Sequence, residues 1–388
     1  MKKFFIVGAG SYVIGDSFGV GVVIPSLLEM AHRLSVPEII LMVRRKRNDN
    51  FWDKVRHIQT IMNSSVSVVE NVITDAGDLE SMDFSDSVAF IAVPDVSHYE
   101  YAKVFLSRNV PLWIVKPLTG EGKLAYELAH LAHESGTPLW VDYHKRFDTS
   151  NQKLRQIIKE KDYGHLHIYS VQYSQPSTIP LQDLSLWANN VDVFQYIGCH
   201  YVDQILYLYP DAVPKRISST GVEGYLISKG GPKYDLINTL IDFNLKDGKT
   251  LRGVFVVGWN DPPGSPSKSH QRIDLQFETG RIIADQKVRG FQLWETKKTE
   301  EVNPYFFQMI DRPVGNGVGP SGYGFESIRE FFECLNSKNR FSDIRLPWGW
   351  NTYKTDFVLD ASKKSLALSG EWVPIIIPEL NVTVQYRQ

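Results

Sequence analysis

A pair of glycines directly follows a short apolar run at the start of the chain. Residues 3–7 read Lys-Phe-Phe-Ile-Val, and Gly8 and Gly10 come next. A continuous apolar run that ends at a glycine is typical of a strand buried on both faces, as in a parallel sheet. An apolar helical pattern over residues 25–34 follows. Strand, glycines and helix in this order predict the opening βαβ unit of a dinucleotide-binding domain.

The alternation of strand and helix continues to about residue 147. Further buried strands are predicted at 38–43, 88–93, 112–115 and 139–143, and helical patterns lie between them at 99–107 and 122–135. Such alternation indicates a doubly wound parallel sheet. We therefore predict an α/β Rossmann domain over residues 1–147.

The pattern changes after Phe147. A helical pattern at 149–161 is followed by longer alternating strands with turn signals between them, such as Asp247-Gly248. Strands in hairpin succession favour an antiparallel sheet. We predict a second, α+β domain over residues 148–345 with a large open antiparallel sheet. Residues 346–388 are expected to return to the core as a helix and a strand.

Charge and cysteine content argue against several classes of partner and site. The chain has 42 Lys and Arg against 44 Asp and Glu, a net charge of −2, so neither nucleic acid nor a membrane surface is an expected partner. Cys199 and Cys334 are too few and too far apart for a disulfide framework or a zinc site, so we expect no metal. No apolar stretch approaches the ~18–20 residues of a membrane span. The simple expectation is a cytoplasmic protein.

The glycine segment departs from the usual dinucleotide fingerprint. Gly8 and Gly10 suit a tight turn with close approach to a pyrophosphate, but Val13 occupies the place of the third glycine. Gly21, eight positions later, precedes the helical run as a third glycine would. We expect Gly8, Gly10, Ser11 and Gly21 to contact a dinucleotide. The alternative is a tight turn without a ligand.

The second predicted strand ends in basic residues. An acid normally stands there and holds the ribose hydroxyls of NAD, whereas here Arg44 and Arg45 follow the strand and the first carboxylate is Asp49. Guanidinium groups bind a 2′-phosphate in bidentate fashion. The segment therefore favours NADP over NAD, with a solvated basic loop as the alternative.

Four later segments stand in an order that matches one enzyme family. The chain resembles the glucose–fructose oxidoreductase / inositol dehydrogenase (Gfo/Idh/MocA) family over nearly its whole length. The segments are Val-Pro-Asp-Val-Ser-His at 93–98, Val-Lys-Pro-Leu-Thr at 115–119, Asp-Tyr-His-Lys-Arg-Phe-Asp at 142–148 and Gly-Cys-His-Tyr-Val-Asp at 198–203. The resemblance implies an NAD(P)-dependent oxidoreductase that acts on a hydroxyl or keto group of a sugar, polyol or nucleotide-sugar.

The resemblance also implies roles for particular residues. Lys116 matches the lysine that hydrogen-bonds the reacting oxygen, and His200 matches the proton-transfer histidine. Contacts with the cofactor are implied for Val93, Pro94, His98 and Lys116. The alternatives are a structural lysine before Pro117 and a packed core histidine.

Two positions depart from the family pattern. Val115 stands where a glutamate is expected, and Tyr196 stands where inositol dehydrogenase-like members carry an aspartate. Tyr196 is predicted to share a helix face with His200, and we count it as a catalytic candidate, with simple packing as the alternative. The residues expected to bind substrate are Lys116, Tyr143, Arg146, Tyr196, His200 and Asp203.

A second function stays open beside the enzymatic one. Some relatives keep the fold and the dinucleotide pocket but act as regulators or sensors, and Val115 and Tyr196 leave this interpretation possible. The presence of both Lys116 and His200 argues against it. Because open sheets in this family commonly pair face to face, we expect a homodimer or homotetramer.

Overall fold

The N-terminal half contains a parallel sheet of six strands. The computed structural model describes residues 1–16, 19–185, 187–312, 317–337 and 340–380. The strands are β1 Lys3–Val7, β2 Glu38–Val43, β3 Ser67–Val72, β4 Ser87–Ile91, β5 Leu112–Val115 and β6 Leu139–Asp142. They lie in the order β3-β2-β1-β4-β5-β6 and every neighbouring pair is parallel. This confirms the predicted Rossmann arrangement, and the strand order reverses between β1 and β4, where such sheets bind ligands.

Both faces of this sheet are covered. Phe4 and Ile6 point into one apolar core and Phe5 and Val7 into another, so β1 is buried on both sides as its apolar run predicts. The helices of this half are α1 Val23–Leu34, α2 Asp49–Ile61, α3 His98–Ser107 and α4 Gly122–Ser135.

The second half is built on a larger sheet. Its strands are β7 Leu166–Pro176, β8 Val213–Val222, β9 Leu236–Asn244, β10 Thr250–Asp261, β11 His270–Phe277 and β12 Arg281–Asp285, with the short β17 Val373–Pro374 at one edge. The order is β12-β11-β7-β10-β9-β8-β17. Four short strands pair outside it: β13 Gln292–Trp294 with β14 Thr299–Glu301, and β15 Gln308–Asp311 with β16 Val318–Ser321.

The large sheet is antiparallel, as predicted, except for one parallel pair that makes it mixed. Strands β7 and β10 pair in parallel, whereas the other neighbours are antiparallel. A hairpin turn imposes an antiparallel pair, but more than seventy residues separate β7 from β10, so no turn constrains their relative direction. The predicted homodimer or homotetramer stays a prediction.

Four further helices of ten residues or more follow α4 in the chain, besides a single helical turn at Tyr225–Ser228. They are α5 Thr149–Glu160, α6 Cys199–Leu208, α7 Tyr323–Leu335 and α8 Gly349–Ala367. Helix α7 falls in the predicted second domain but covers the first sheet. The ring centre of Phe331 lies 6.1 Å from that of Phe90 and 5.8 Å from that of Trp140. The domain boundaries after residues 147 and 345 stay predictions, and residues 381–388 lie outside the described part. No helix in that part has both the length and the apolar character needed to cross a bilayer.

Candidate functional site

The glycine turn brings β1 against β4. Gly8 has a φ of 112°, and a Cβ at this position would lie 2.2 Å from the carbonyl oxygen of Ala92, so no other residue fits. Gly10 is extended, and a Cβ there would meet no described atom within 4 Å. Ser11 is exposed and begins a short helical turn, Ser11–Ile14. The backbone at Gly10 therefore borders open space at the edge where the strand order reverses.

Gly21 serves the packing of the inserted loop. Beyond Ser11–Ile14, the insertion pairs Gly15–Asp16 with Gly19–Val20, and residues 17 and 18 lie outside the described part. A Cβ on Gly21 would lie 2.5 Å from the nitrogen of Gly15. Glycine is thus required here by the loop itself, and a contact between Gly21 and a dinucleotide stays a prediction.

Gly8 and Gly10 differ in how much stability the protein would lose if each were replaced by alanine. We expect Gly8→Ala to lower the free energy of unfolding by about 1–3 kcal/mol, because it combines positive φ with a backbone clash. Gly10→Ala is the matched control, expected to change it by less than about 0.5 kcal/mol. Urea denaturation of both variants measures the difference. Equal losses in the two would contradict the close approach of Gly8 to Ala92.

The basic segment after β2 presents two exposed guanidinium groups. These belong to Arg44 and Arg45, and neither forms an ion pair among the residues described. Arg47 instead folds back, with its Nε 3.1 Å from the Arg45 carbonyl oxygen. Arg44 and Arg45 are thus available to an anion at the carboxyl end of β2.

The crevice is the space at the carboxyl ends of β1 and β4, where the strand order reverses. His98 lies inside the protein beside this crevice. Its Nδ1 is 3.0 Å from the carbonyl oxygen of Pro117, and its Nε2 is 2.9 Å from that of Val93. Burial lowers the pKa of His98, so the ring is neutral at pH 7 and has one N–H to donate. His98 therefore positions the segment after β4 against the Lys116-Pro117 loop. Direct cofactor contacts of Val93, Pro94 and His98 stay predictions.

Lys116 and Tyr196 meet across the two halves of the chain. Lys116 directly follows β5; its Nζ donates to the backbone carbonyl of Tyr196 and lies 4.1 Å from the centre of the Tyr196 ring. Tyr196 belongs to a π-helical turn, Phe194–Gly198, that leads into α6, and its ring packs 5.6 Å from that of Trp259. An ammonium over an aromatic face is stabilised by the ring quadrupole. The structure thus places these two catalytic candidates in contact.

His200 lies one helical turn after Tyr196 and is 7% exposed. Its Nδ1 is buried and has no hydrogen-bond partner among the described residues. Burial first, and then the nearby charge of Lys116, hold the pKa of His200 well below its usual range. The imidazole is therefore neutral at pH 7 and able to accept a proton. Its ring neighbours are Tyr143 at 6.0 Å and His144 at 4.8 Å.

Three predicted substrate ligands occupy more enclosed positions. Arg146 and Asp203 form a bidentate pair, with Nε–Oδ2 at 2.8 Å and Nη2–Oδ1 at 2.6 Å, and both side chains are at most 3% exposed. Tyr143 is fully buried, which raises the pKa of its hydroxyl. These side chains hold the turn after β6 against α6. Their contact with substrate stays a prediction.

The sequence did not single out Asp142, Tyr12 and Ser327, which form a polar network beside His144. Asp142 at the end of β6 accepts hydrogen bonds from the hydroxyls of Tyr12 and Ser327, both at 2.7 Å, and lies 3.3 Å from Nδ1 of His144. The available signal for Asp142 was its position, because it is the last residue of β6 and therefore lies at the carboxyl end of the parallel sheet.

Lys145 is a second lysine at the site and, unlike the half-buried Lys116, it is buried. Its Nζ donates to the side-chain oxygen of Gln271 and lies 5.2 Å from the ring centre of Tyr201. Burial lowers the pKa of Lys145 to about 7, against the opposing effect of Asp148. Its ammonium loses its proton near neutral pH.

Sequence relatives match part of the chain. An inositol 2-dehydrogenase of Arthrobacter sp. (strain FB24) is 27% identical over 95 residues, 24% of this chain and 28% of the relative. The scyllo-inositol 2-dehydrogenase (NADP(+)) of Bacillus subtilis (strain 168) is 23% identical over 168 residues, 42% of this chain and 46% of the relative. The matched regions thus span less than half of either curated relative. No protein-family model matches the chain.

Solved structures match nearly the whole chain. A scyllo-inositol dehydrogenase from Lactobacillus casei, with bound NAD(H) and scyllo-inositol, has a TM-score of 0.65 at 13% identity and covers 96% of this chain and 99% of its own. A myo-inositol dehydrogenase from Corynebacterium glutamicum has a TM-score of 0.64 at 14% identity, with 97% and 99% covered. At these identities the likeness establishes the shared two-domain fold.

Proposed function

We propose that the chain is an NAD(P)-dependent oxidoreductase of the glucose–fructose oxidoreductase / inositol dehydrogenase family, since it shares the fold of the myo- and scyllo-inositol dehydrogenases. It transfers a hydride between nicotinamide and a hydroxyl or keto group of a sugar, polyol or nucleotide-sugar. The observation that carries the proposal is the contact of Lys116 with Tyr196, one helical turn before His200, which brings the two halves of the chain together beside the crevice. Both partial sequence relatives are named as inositol dehydrogenases, which supports a polyol substrate.

The residues at the crevice fit a dinucleotide. The open space beside Gly10 admits a pyrophosphate close to the backbone, with Ser11 next to it. Arg44 and Arg45 would hold a 2′-phosphate, so NADP is the preferred form and NAD the alternative. The Bacillus subtilis relative is named for NADP(+), and the Lactobacillus casei structure holds NAD(H).

Lys116 and His200 would supply the charge stabilisation and the proton transfer that accompany hydride transfer. The nicotinamide, when bound, supplies the hydride acceptor or donor. The Lys116 ammonium would hydrogen-bond the reacting oxygen and stabilise its developing negative charge. His200, neutral at pH 7, would take the hydroxyl proton during oxidation. Tyr196 would orient Lys116 through its carbonyl and its ring.

A turnover assay tests the proposal. The wild-type protein is incubated with NADP+ or NAD+ and with myo-inositol, scyllo-inositol, a set of aldoses or nucleotide-sugars, and nucleotide reduction is followed. We expect turnover with at least one of these compounds. Tight NADPH binding with no turnover in either direction would favour the non-catalytic regulator that Val115 and Tyr196 leave open.

Arg44 and Arg45, which follow β2, would determine the preference for NADPH over NADH. We expect the double variant Arg44→Ser/Arg45→Ser to bind NADPH at least about tenfold more weakly, since charge-assisted hydrogen bonds contribute roughly 1.5–3 kcal/mol each. NADH binding should stay unchanged, because NADH lacks the 2′-phosphate. Quenching of tryptophan fluorescence measures both affinities. Arg56→Ser, an exposed arginine on α2, is the matched control, and an equal loss of NADPH and NADH affinity would overturn the assignment.

A further inference from the structure

We propose that His144, held by Asp142, receives the proton that His200 takes from the substrate. The two histidines thereby form a relay for the substrate proton. This inference rests on the proposed oxidoreductase function. It assigns a role to Asp142 and His144, which the Lys116–His200 pair alone leaves unexplained.

The Asp142 carboxylate is fixed by donors from separate parts of the fold. It is 1% exposed and accepts from Tyr12 in the glycine loop and from Ser327 on α7, both at 2.7 Å. The Tyr12 hydroxyl is also 3.4 Å from Nδ1 of His144, but its single hydrogen is directed to Asp142. An ionised carboxylate only accepts. The hydrogen on the His144 ring therefore belongs on Nδ1, 3.3 Å from Asp142, and leaves Nε2 as the proton acceptor.

The His144 ring is enclosed by other rings. Tyr323 stacks on it at 5.5 Å, Phe306 packs at 5.3 Å and Tyr12 lies at 6.4 Å. The ring of His200 is 4.8 Å away. These contacts hold the imidazole in one orientation, and among these ring neighbours His200 is the one that carries a second imidazole.

The surroundings of His200 disfavour its protonated form. It is buried, its Nδ1 has no partner among the described residues, and the neighbouring charge that most lowers its pKa is that of Lys116, followed by those of His144 and Lys145. The residue one turn before it, Tyr196, offers no carboxylate. An imidazolium at His200 is therefore unstable and must pass its proton on before the next turnover.

Of the two imidazoles, His144 is the one that lies against a carboxylate, that of Asp142. During oxidation, the C–H electron pair and hydrogen leave as hydride to nicotinamide, and the O–H proton goes to His200. His200 then returns to neutral as His144 takes that proton, and Asp142 stabilises the new charge without itself being protonated. Water accepts the proton from His144, and reduction runs the same steps in reverse.

Kinetics of His144 variants provide the first test. With NADP+ and the polyol or sugar that wild type oxidises fastest, we expect His144→Ala to lower kcat at least about tenfold. KM and the affinity for NADPH should stay within about twofold of wild type, because the ring contributes to proton transfer. Added imidazole should restore much of the lost kcat, which a structural role would not allow. His130→Gln, an exposed histidine on α4, is the control. Unchanged kcat in His144→Ala would overturn the relay while leaving the proposed function intact.

The tautomer of His144 is a second test that needs no turnover. In protein labelled with ¹⁵N-histidine, NMR should show His144 protonated on Nδ1 at neutral pH in the wild type. Asp142→Asn should remove this preference, since an amide presents both a donor and an acceptor. Protonation of His144 on Nε2 in the wild type would overturn the relay. Absence of turnover in the wild type would count against the proposed function, and the NMR result would still decide the Asp142–His144 pairing.

Discussion

Lys116→Met is expected to lower kcat by about 10²- to 10³-fold, the loss typical of removing one donor to a developing oxyanion. Methionine keeps an unbranched chain of similar length but has no ammonium to meet the charge on the reacting oxygen. Substrate KM should change little, because the interaction strengthens mainly in the transition state. Steady-state kinetics with the compound that wild type oxidises fastest measures the effect.

The control for this variant is Lys123→Met, an exposed lysine on α4. Its kcat should equal that of wild type. Thermal unfolding of both variants separates a catalytic loss from misfolding, because the Lys116 bond to the Tyr196 carbonyl also joins the two halves of the chain. A folded Lys116→Met protein with wild-type kcat would refute the role given to this lysine.

Arg146→Met is expected to lower the free energy of unfolding by about 3–5 kcal/mol. The guanidinium makes two hydrogen bonds to Asp203, and both groups are almost fully buried. Burial raises the pKa of Asp203 and the Arg146 charge opposes that rise, so removal of the arginine leaves a carboxylate that is costly to ionise. Urea denaturation measures the loss.

Two further variants show whether the cost comes from the unpaired carboxylate. Arg146→Met/Asp203→Leu replaces the pair by apolar groups and should recover most of the stability. Arg56→Met breaks an exposed pair with Asp53 and should cost less than about 1 kcal/mol. If Arg146→Met lowered the free energy of unfolding no more than Arg56→Met does, the buried Arg146–Asp203 pair would not stabilise the turn after β6.

Much of the first domain follows from local sequence pattern. Five strands of the parallel sheet stand out as apolar runs because they are buried on both faces. The sixth, β3, is an edge strand of exposed and half-buried residues, and its pattern is too weak to define its limits. In the large sheet, the parallel pairing of β7 and β10 depends on a long connection that no local turn signal describes.

In the site, too, some residues can be predicted from local motifs, whereas others come together only through contacts between distant parts of the chain. Motif order predicts Lys116, Tyr196 and His200 as candidates, and the structure brings them to one place. The Asp142 network was not predicted, since its partners Tyr12 and Ser327 are 130 and 185 positions away in the chain. Arg146 and Asp203 were each expected to face substrate, whereas their mutual bond arises only when α6 packs on the turn after β6.

Titration of the wild-type protein with NADPH and NADH, followed by quenching of tryptophan fluorescence, tests the central claim most directly. The fold, the open space beside Gly10 and the exposed guanidinium groups of Arg44 and Arg45 predict saturable binding of both nucleotides, with NADPH the tighter. Saturable binding of neither would contradict the assignment of this chain as a dinucleotide-dependent oxidoreductase.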